Sequence, residues 1–237
     1  YLVMEALIKS QNNLMDSMQS QIKRYNQREM DQRLFVDLLT GNIAHDEEEN
    51  YRIKEQRWPV PPYQIIYIEV DRIKQKLHEL REEEAQERIE KIENLIREAF
   101  TGEQVVVLSN NGTFQCILKR TGDKEIEADY FEAIQSEICE KTGYRATIGV
   151  SRAEDTYKRF GQAYQDARDA VEIAVCQNLE SRVLCIEDAG FWKILKKISK
   201  QDMCREFVEE KLNAFIEYDQ ENERELLETL EALVNNL

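Results

Sequence analysis

Two runs of strand-forming residues, Gln104-Val-Val-Val-Leu-Ser109 and Thr113-Phe-Gln-Cys-Ile-Leu-Lys119, are separated only by Asn110-Asn111-Gly112. Asn-Gly tolerates the positive φ angles of a tight hairpin turn, so the two runs are expected to pair antiparallel. The residues around this hairpin alternate between strand and helix patterns instead. Tyr63–Asp71 reads as a strand, and it is apolar enough to be buried on both faces. Residues 72–100 read as helical and highly charged, ending at Thr101-Gly102. Next come a helix over Ala128–Thr142 stopped by Gly143, a strand over Tyr144–Val150, a helix over Phe160–Asn178 and a strand over Arg182–Ile186. Alternating strands and helices interrupted by one hairpin predict an α+β domain, a mixed/antiparallel sheet with helices packed on it.

A long helix is expected to precede this domain. Over residues 1–40, Met4, Ile8, Gln11, Met15, Met18, Ile22 and Tyr25 recur at alternating steps of four and three, and only Gln11 is polar. Such a stripe is either a coiled-coil seam between two chains or a face lying on its own domain. It is narrow and polar-flanked, which favours the two-chain seam and hence a homodimer. Leu34, Phe35, Leu38 and Leu39 widen the stripe, as expected where the helix meets a globular body, and Thr40-Gly41-Asn42 ends it. An acidic loop at Asp46–Glu49, a short helix and the Trp58-Pro-Val-Pro-Pro62 linker follow.

Two helices, about 188–199 and 201–218, come after the last strand. A further helix carries Leu226, Leu227, Leu230, Leu233 and Val234 on one face, with Asp219 placed to cap it. No stop signal follows that face and Tyr1 is not a natural start, so the sequence is expected to be a piece of a longer protein. The organisation reads as a coiled-coil helix over 1–40, an α/β domain over 41–187 and a helical segment over 188–237.

Composition narrows the function classes. A net charge of −15 argues against this segment gripping nucleic acid by itself, since phosphate contacts need clustered Lys and Arg. The five cysteines are scattered and odd in number, no CxxC occurs, and His45 and His78 lie far apart. Reduced thiols are therefore expected, with no disulfide framework, metal site or cofactor. The isolated histidines also argue against a nucleophilic triad, and no glycine-rich phosphate loop is present. No apolar run reaches the roughly 18 residues that a membrane-spanning helix needs. No signal peptide is visible, so a cytoplasmic location is expected.

The order strand, helices, hairpin, helix, strand, helix resembles the GGDEF family of diguanylate cyclases, whose fold is nucleotide-cyclase-like. In that family the hairpin turn carries Gly-Gly-Asp-Glu-Phe; here it reads Asn110-Asn111-Gly112-Thr113-Phe114, and only the Phe matches. The resemblance puts Thr113 in the place of the catalytic glutamate, Gly112 in that of the preceding aspartate, and Asn110 and Asn111 in those of the glycines. Glu69 and Asp71 stand where the family has metal-binding aspartates. Two-metal phosphoryl chemistry needs carboxylates converging from both strands, so the resemblance implies a degenerate, non-catalytic relative.

A second resemblance covers about Leu34 to Leu237. Gly149-Val-Ser-Arg152, followed by the helix containing Tyr164, Ala167 and Ala170, is similar to the GGDEF-like domain of the PucR/CdaR transcription regulators, which act on purine catabolism or sugar-diacid use. Leu34–Asn42 is similar to the segment leading into that domain. Phe207–Asp219 and Glu225–Leu230 are similar to what precedes the C-terminal helix-turn-helix of that family. The resemblance implies DNA contact only through a domain beyond Leu237, and possible control by a small-molecule effector.

Plainer readings stand beside these. Glu69 and Asp71 could bracket a cation, or one could cap the next helix while the other is solvated. Arg152, Glu154 and Asp155 form a polar loop where sheet folds often take ligands, or they cap the following helix. Tyr164, Ala167 and Val171 read as core, and Arg81–Arg88 as a solvated helix face. The expected function is a relay and dimerisation fragment of a transcription regulator. The alternatives are a nucleotide cyclase, a ligand sensor without turnover, and the linker region of a two-component regulator.

Overall fold

A computed structural model of the chain describes residues 2–43, 46–71, 73, 81–110, 112–120, 128–177, 182–199, 201–222, 226, 229–230 and 232. They form two compact units, Tyr1–Ala189 and Gly190–Leu237. In the first, the elements run α1 (Leu2–Thr40), α2 (Asp46–Glu55), β1 (Tyr63–Val70), α3 (Glu82–Ala99), β2 (Val105–Asn110), β3 (Thr113–Lys119), α4 (Ala128–Thr142), β4 (Ala146–Val150), α5 (Phe160–Cys176) and β5 (Val183–Cys185). A short 3₁₀ turn, Tyr157–Arg159, leads into α5.

The five strands lie in the order β2-β3-β1-β4-β5. β1 is central and runs antiparallel to both neighbours, while β4 and β5 are parallel. The centre falls to β1 because its residues are buried on both faces, Glu69 being the one more open position. The parallel pair requires a crossover, and α5 supplies it.

Alternate residues of the strands feed two cores. Ile66, Ile68, Phe114, Cys116 and Leu118 point toward α3 and α4, where Ile92, Ile96, Phe131 and Ile138 meet them. Tyr63, Ile65, Tyr67 and Ile117 point the other way, toward Phe160, Ala167 and Val171 of α5 and Leu34 and Leu38 of α1. Full burial of each large apolar side chain contributes about 1.5–3 kcal/mol. The second face also holds an aromatic cluster in which Tyr63 stacks on Tyr157 at 4.4 Å between ring centroids. Gly149 lets α5 approach this closely, since a Cβ there would stand 2.1 Å from the Ala167 carbonyl oxygen.

α1 spans 39 residues, about 58 Å at the helical rise. Its residues 11–30 are exposed, and its last turns enter the core through Leu34 and Leu38. Two corrections to the sequence reading fall next to it. Asp46–Glu49, expected as a loop, is the first turn of α2, where carboxylates are favoured by the partial positive charge of a helix N-terminus. Trp58, expected in a linker, is fully buried, and its indole Nε1–H donates to Asp31 Oδ1 at 2.8 Å.

The second unit contains α6 (Phe191–Ser199) and α7 (Asp202–Asn222). α6 has no buried residue, and Phe191, Trp192 and Ile194 are exposed. The Leu226 N–H donates to Asp219 Oδ1 at 3.0 Å, although Asp219 lies within α7 and not at the N-cap position expected of it. Among the described residues no helix is long and apolar enough to cross a membrane.

Candidate functional site: the hairpin turn and the end of the central strand

Asn110 pairs with Thr113, so the β2–β3 loop is two residues long. Its second position, Gly112, has φ 85°, as an Asn-Gly hairpin turn requires. The Thr113 hydroxyl donates to the Asn110 carbonyl at 2.7 Å and accepts from Gln115 Nε2 at 3.2 Å. Asn111 lies outside the described residues, and Phe114 is fully buried in the first core.

The register of β1 brings the strand-end acids to this turn. Glu69 stands opposite Thr113 on one side and Thr147 on the other. The Val70 N–H donates to the Gly112 carbonyl at 3.2 Å, and the Asp71 N–H to the Arg145 carbonyl at 2.9 Å. Glu69 and Asp71 thus sit at the end of β1 beside the turn. Burial raises the Tyr67 pKa above the ordinary phenol value, and a hydrogen bond with Thr113 opposes that rise.

The turn itself contributes no carboxylate. Gly112 also has no room for one, since a Cβ there would lie 2.1 Å from Ile73 Cγ2. The chain leaving β1 packs directly onto the turn at the position where the resemblance places an acidic residue. Among the described residues no three of His, Cys, Asp and Glu group as a metal would need.

Arg152 is not part of this constellation. β4 runs antiparallel to β1, so its far end meets the start of β1, where the Ser151 N–H donates to the Ile65 carbonyl at 2.9 Å. That end is about 17 Å from Glu69 at the rise of a strand. Arg152 lies 3.9 Å from Glu187, with both side chains exposed. Its neighbour Glu154 is buried; its backbone bridges Tyr63, and its carboxylate is 3.4 Å from Arg159. Thr156 accepts from the Lys158 N–H, the capping role that suits this loop.

The α1 stripe is a second candidate surface. Met15, Met18, Ile22 and Tyr25 are 59, 57, 61 and 70% exposed, and Gln11 is exposed with them. The side chains of Met4 and Ile8 lie outside the described residues. Tyr164 is partly buried and packs against the second core, edge-on to both Phe35 and Tyr67.

One polar centre escaped the sequence reading. Glu93 of α3 has a side chain only 3% exposed. Its Oε1 accepts from Arg97 Nε and Nη2 at 3.1 and 2.9 Å and from Arg28 Nη2 at 3.2 Å. Its Oε2 accepts from Ser109 Oγ at 3.0 Å. The signal was a carboxylate inside the stripe Ile89, Ile92, Ile96.

A mixed sheet with a central antiparallel strand, a hairpin on one side and a βαβ crossover on the other defines an α+β domain of the nucleotide-cyclase type. A family model described as the GGDEF-like domain matches residues 41–173. That is more than half of the chain, which therefore belongs to the GGDEF-like domain family.

Solved structures of low identity are similar to the chain over part of its length. The active GGEEF domain of a diguanylate cyclase from Vibrio cholerae is 16% identical, with a TM-score of 0.46 over 65% of this chain and 95% of that one. The coiled coil and GGDEF domain of DgcB from Caulobacter crescentus, in complex with c-di-GMP, is 10% identical, with a TM-score of 0.46 over 77% and 98%. Diguanylate cyclase SiaD from Pseudomonas aeruginosa, in complex with its activator SiaC, is 15% identical, with a TM-score of 0.43 over 78% and 76%. No curated protein matches the chain.

Proposed function

We propose that this GGDEF-like domain is a non-catalytic relay. In this reading α1 pairs two copies, the sheet body is the platform, and the helices after Asp188 lead toward the output. The similarity of Leu34–Asn42, Gly149–Ala174, Phe207–Asp219 and Glu225–Leu230 to PucR/CdaR regulators supports a DNA-binding helix-turn-helix of a cytoplasmic transcription regulator as that output.

The observation that carries the loss of catalysis is the turn. Phosphoryl transfer between nucleotides needs carboxylates that hold divalent ions from two sides. Glu69 and Asp71 supply one side, whereas Asn110, Gly112 and Thr113 supply no acid on the other, and Ile73 fills the space next to Gly112. Incubation of the chain with GTP and Mg²⁺ is expected to give no cyclic dinucleotide above the blank. Product formation would overturn the reading. Pairing through α1 is supported by the exposed Met15–Tyr25 stripe, and sedimentation of the intact chain as a dimer is the expected result.

A further inference from the structure

Between Gln11 and Asn26, every charged side chain of α1 stands on the side of the helix away from the apolar stripe. With Met15 and Ile22 at position a of a heptad, Gln11, Met18 and Tyr25 fall at d, while Asp16, Lys23 and Arg24 fall at b and c. The e and g positions beside the stripe are Asn12, Leu14, Gln19, Gln21 and Asn26, none of them charged. Stripe and flanks are exposed together. In a chain with 33% charged residues, such an uncharged band has the composition of a contact surface.

The band also selects its partner. A helix of different sequence would be recognised by opposite charges at e and g, and this band offers none. Two copies of an acidic chain, each of net charge −15, can meet here without like charges inside the contact. The band therefore fits the same band of a second copy. It ends at Glu29, the next a position, where pairing would bury two like charges. Arg28 beside it is held by its own chain, 3.2 Å from Glu93 and 3.8 Å from Glu90.

Direction follows from Gln11. Charges at e and g ordinarily fix the orientation of a coiled coil, and without them the one polar residue of the stripe decides. A buried amide needs a hydrogen-bond partner. In a parallel pair in register, d faces d, so Gln11 meets Gln11 and the amide nitrogen of one donates to the carbonyl oxygen of the other. In an antiparallel pair d faces a, which sets Gln11 against Met15 or Ile22 and removes that partner. A parallel pair slipped by one heptad sets it against Met18.

We propose that the second copy lies parallel to the first and in register, directed by the pairing of Gln11 with Gln11, so that both sheet bodies stand at the same end of the seam. The proposal rests on the dimer reading above.

Cysteine cross-linking of the full chain tests it. Met15→Cys and Tyr25→Cys are compared with Asp16→Cys on the outward side and with the wild type, whose own Cys176 is exposed. Disulfide-linked dimer is followed under mild oxidation, with sedimentation of every sample. Met15→Cys and Tyr25→Cys are both expected to cross-link at least tenfold faster than the two controls. An antiparallel pair cannot join both, because only sites near its single crossing point meet their own copies, and these two are ~15 Å apart along the helix. A pair slipped by a heptad joins neither. Gln11→Leu removes the amide and opens either direction, so cross-linking of Tyr25→Cys in that background is expected to fall at least twofold while the dimer persists. Three results would overturn the proposal: fast cross-linking at only one or neither of the two positions; undiminished Tyr25→Cys cross-linking in Gln11→Leu; or a wild-type monomer, which sinks the dimer reading with it. The first two, in a protein that sediments as a dimer, leave that reading standing.

Discussion

The two halves of α1 carry apolar residues at the same helical spacing and meet opposite fates. Leu14, Met15, Met18, Ile22 and Tyr25 stand in solvent, whereas Leu34 and Leu38 are buried against the sheet body. Spacing alone therefore specifies a face and not its partner. The partner follows from width and from fixed polar neighbours. In the packed half, Phe35 adds an edge contact to Phe160 at 5.4 Å, Asp31 receives the Trp58 indole, and Asp37 pairs with Arg52 at 2.7 Å. Among the described residues, the outer half has a narrow stripe that stays exposed.

The contrast breaks most directly at Trp58. Trp58→Ala removes a fully buried ring and its hydrogen bond to α1, and is expected to cost about 3–5 kcal/mol in denaturant unfolding. A loss near zero would mean that α1 is not anchored there.

The paired substitutions Leu38→Ala and Leu14→Ala sharpen it. The first is expected to lower stability by about 2–3 kcal/mol, toward the low end for a buried leucine. The second is expected to stay within about 0.5 kcal/mol in dilute monomer. Equal losses would erase the distinction between the halves.

Asp31 gives a pH arm at the boundary. Burial raises its pKa above 3.8, against hydrogen bonds from Trp58 and Gln27 and the charge of Arg97. The folded state therefore holds this proton more tightly than the unfolded chain does. The residue is a cost at neutral pH, and that cost disappears as pH falls through the folded pKa toward 3.8. Asp31→Asn keeps an acceptor for the indole, so it is expected to be the more stable protein at neutral pH and to converge with the wild type in acid. Parallel stability curves would refute this.

The smallest effect on the body belongs to Met15→Glu/Met18→Glu. Unfolding of the sheet should move by less than about 0.5 kcal/mol, while sedimentation falls from dimer to monomer.

Much of the fold was legible because its signals are local. Asn-Gly fixed the hairpin, Gly143 closed the helix that begins at Ala128, and the mostly apolar run from Tyr63 marked the central strand. The alternation of Glu69 and Asp71 likewise placed both acids at one strand end. What stayed hidden depends on pairing between distant segments. Arg152 was another candidate ligand residue, and only the antiparallel register of β4 puts it at the other end of the sheet from those acids. Trp58 sat in a proline-rich stretch that reads as linker, and its partner is 27 positions away. Glu93 was one acid among many in a charged helix, and only its place among isoleucines set it apart.

Cys116 lies at the centre of β3, completely covered, and its surroundings push the thiol pKa up to about 12. A thiolate is the reactive form, so this sulfur is silent toward alkylating reagents while the strands stay closed. Cys176, at the surface, has no such shelter. The chain thus carries its own clock: slow labelling at one cysteine, timed against fast labelling at another, reads how often the middle of the sheet breathes.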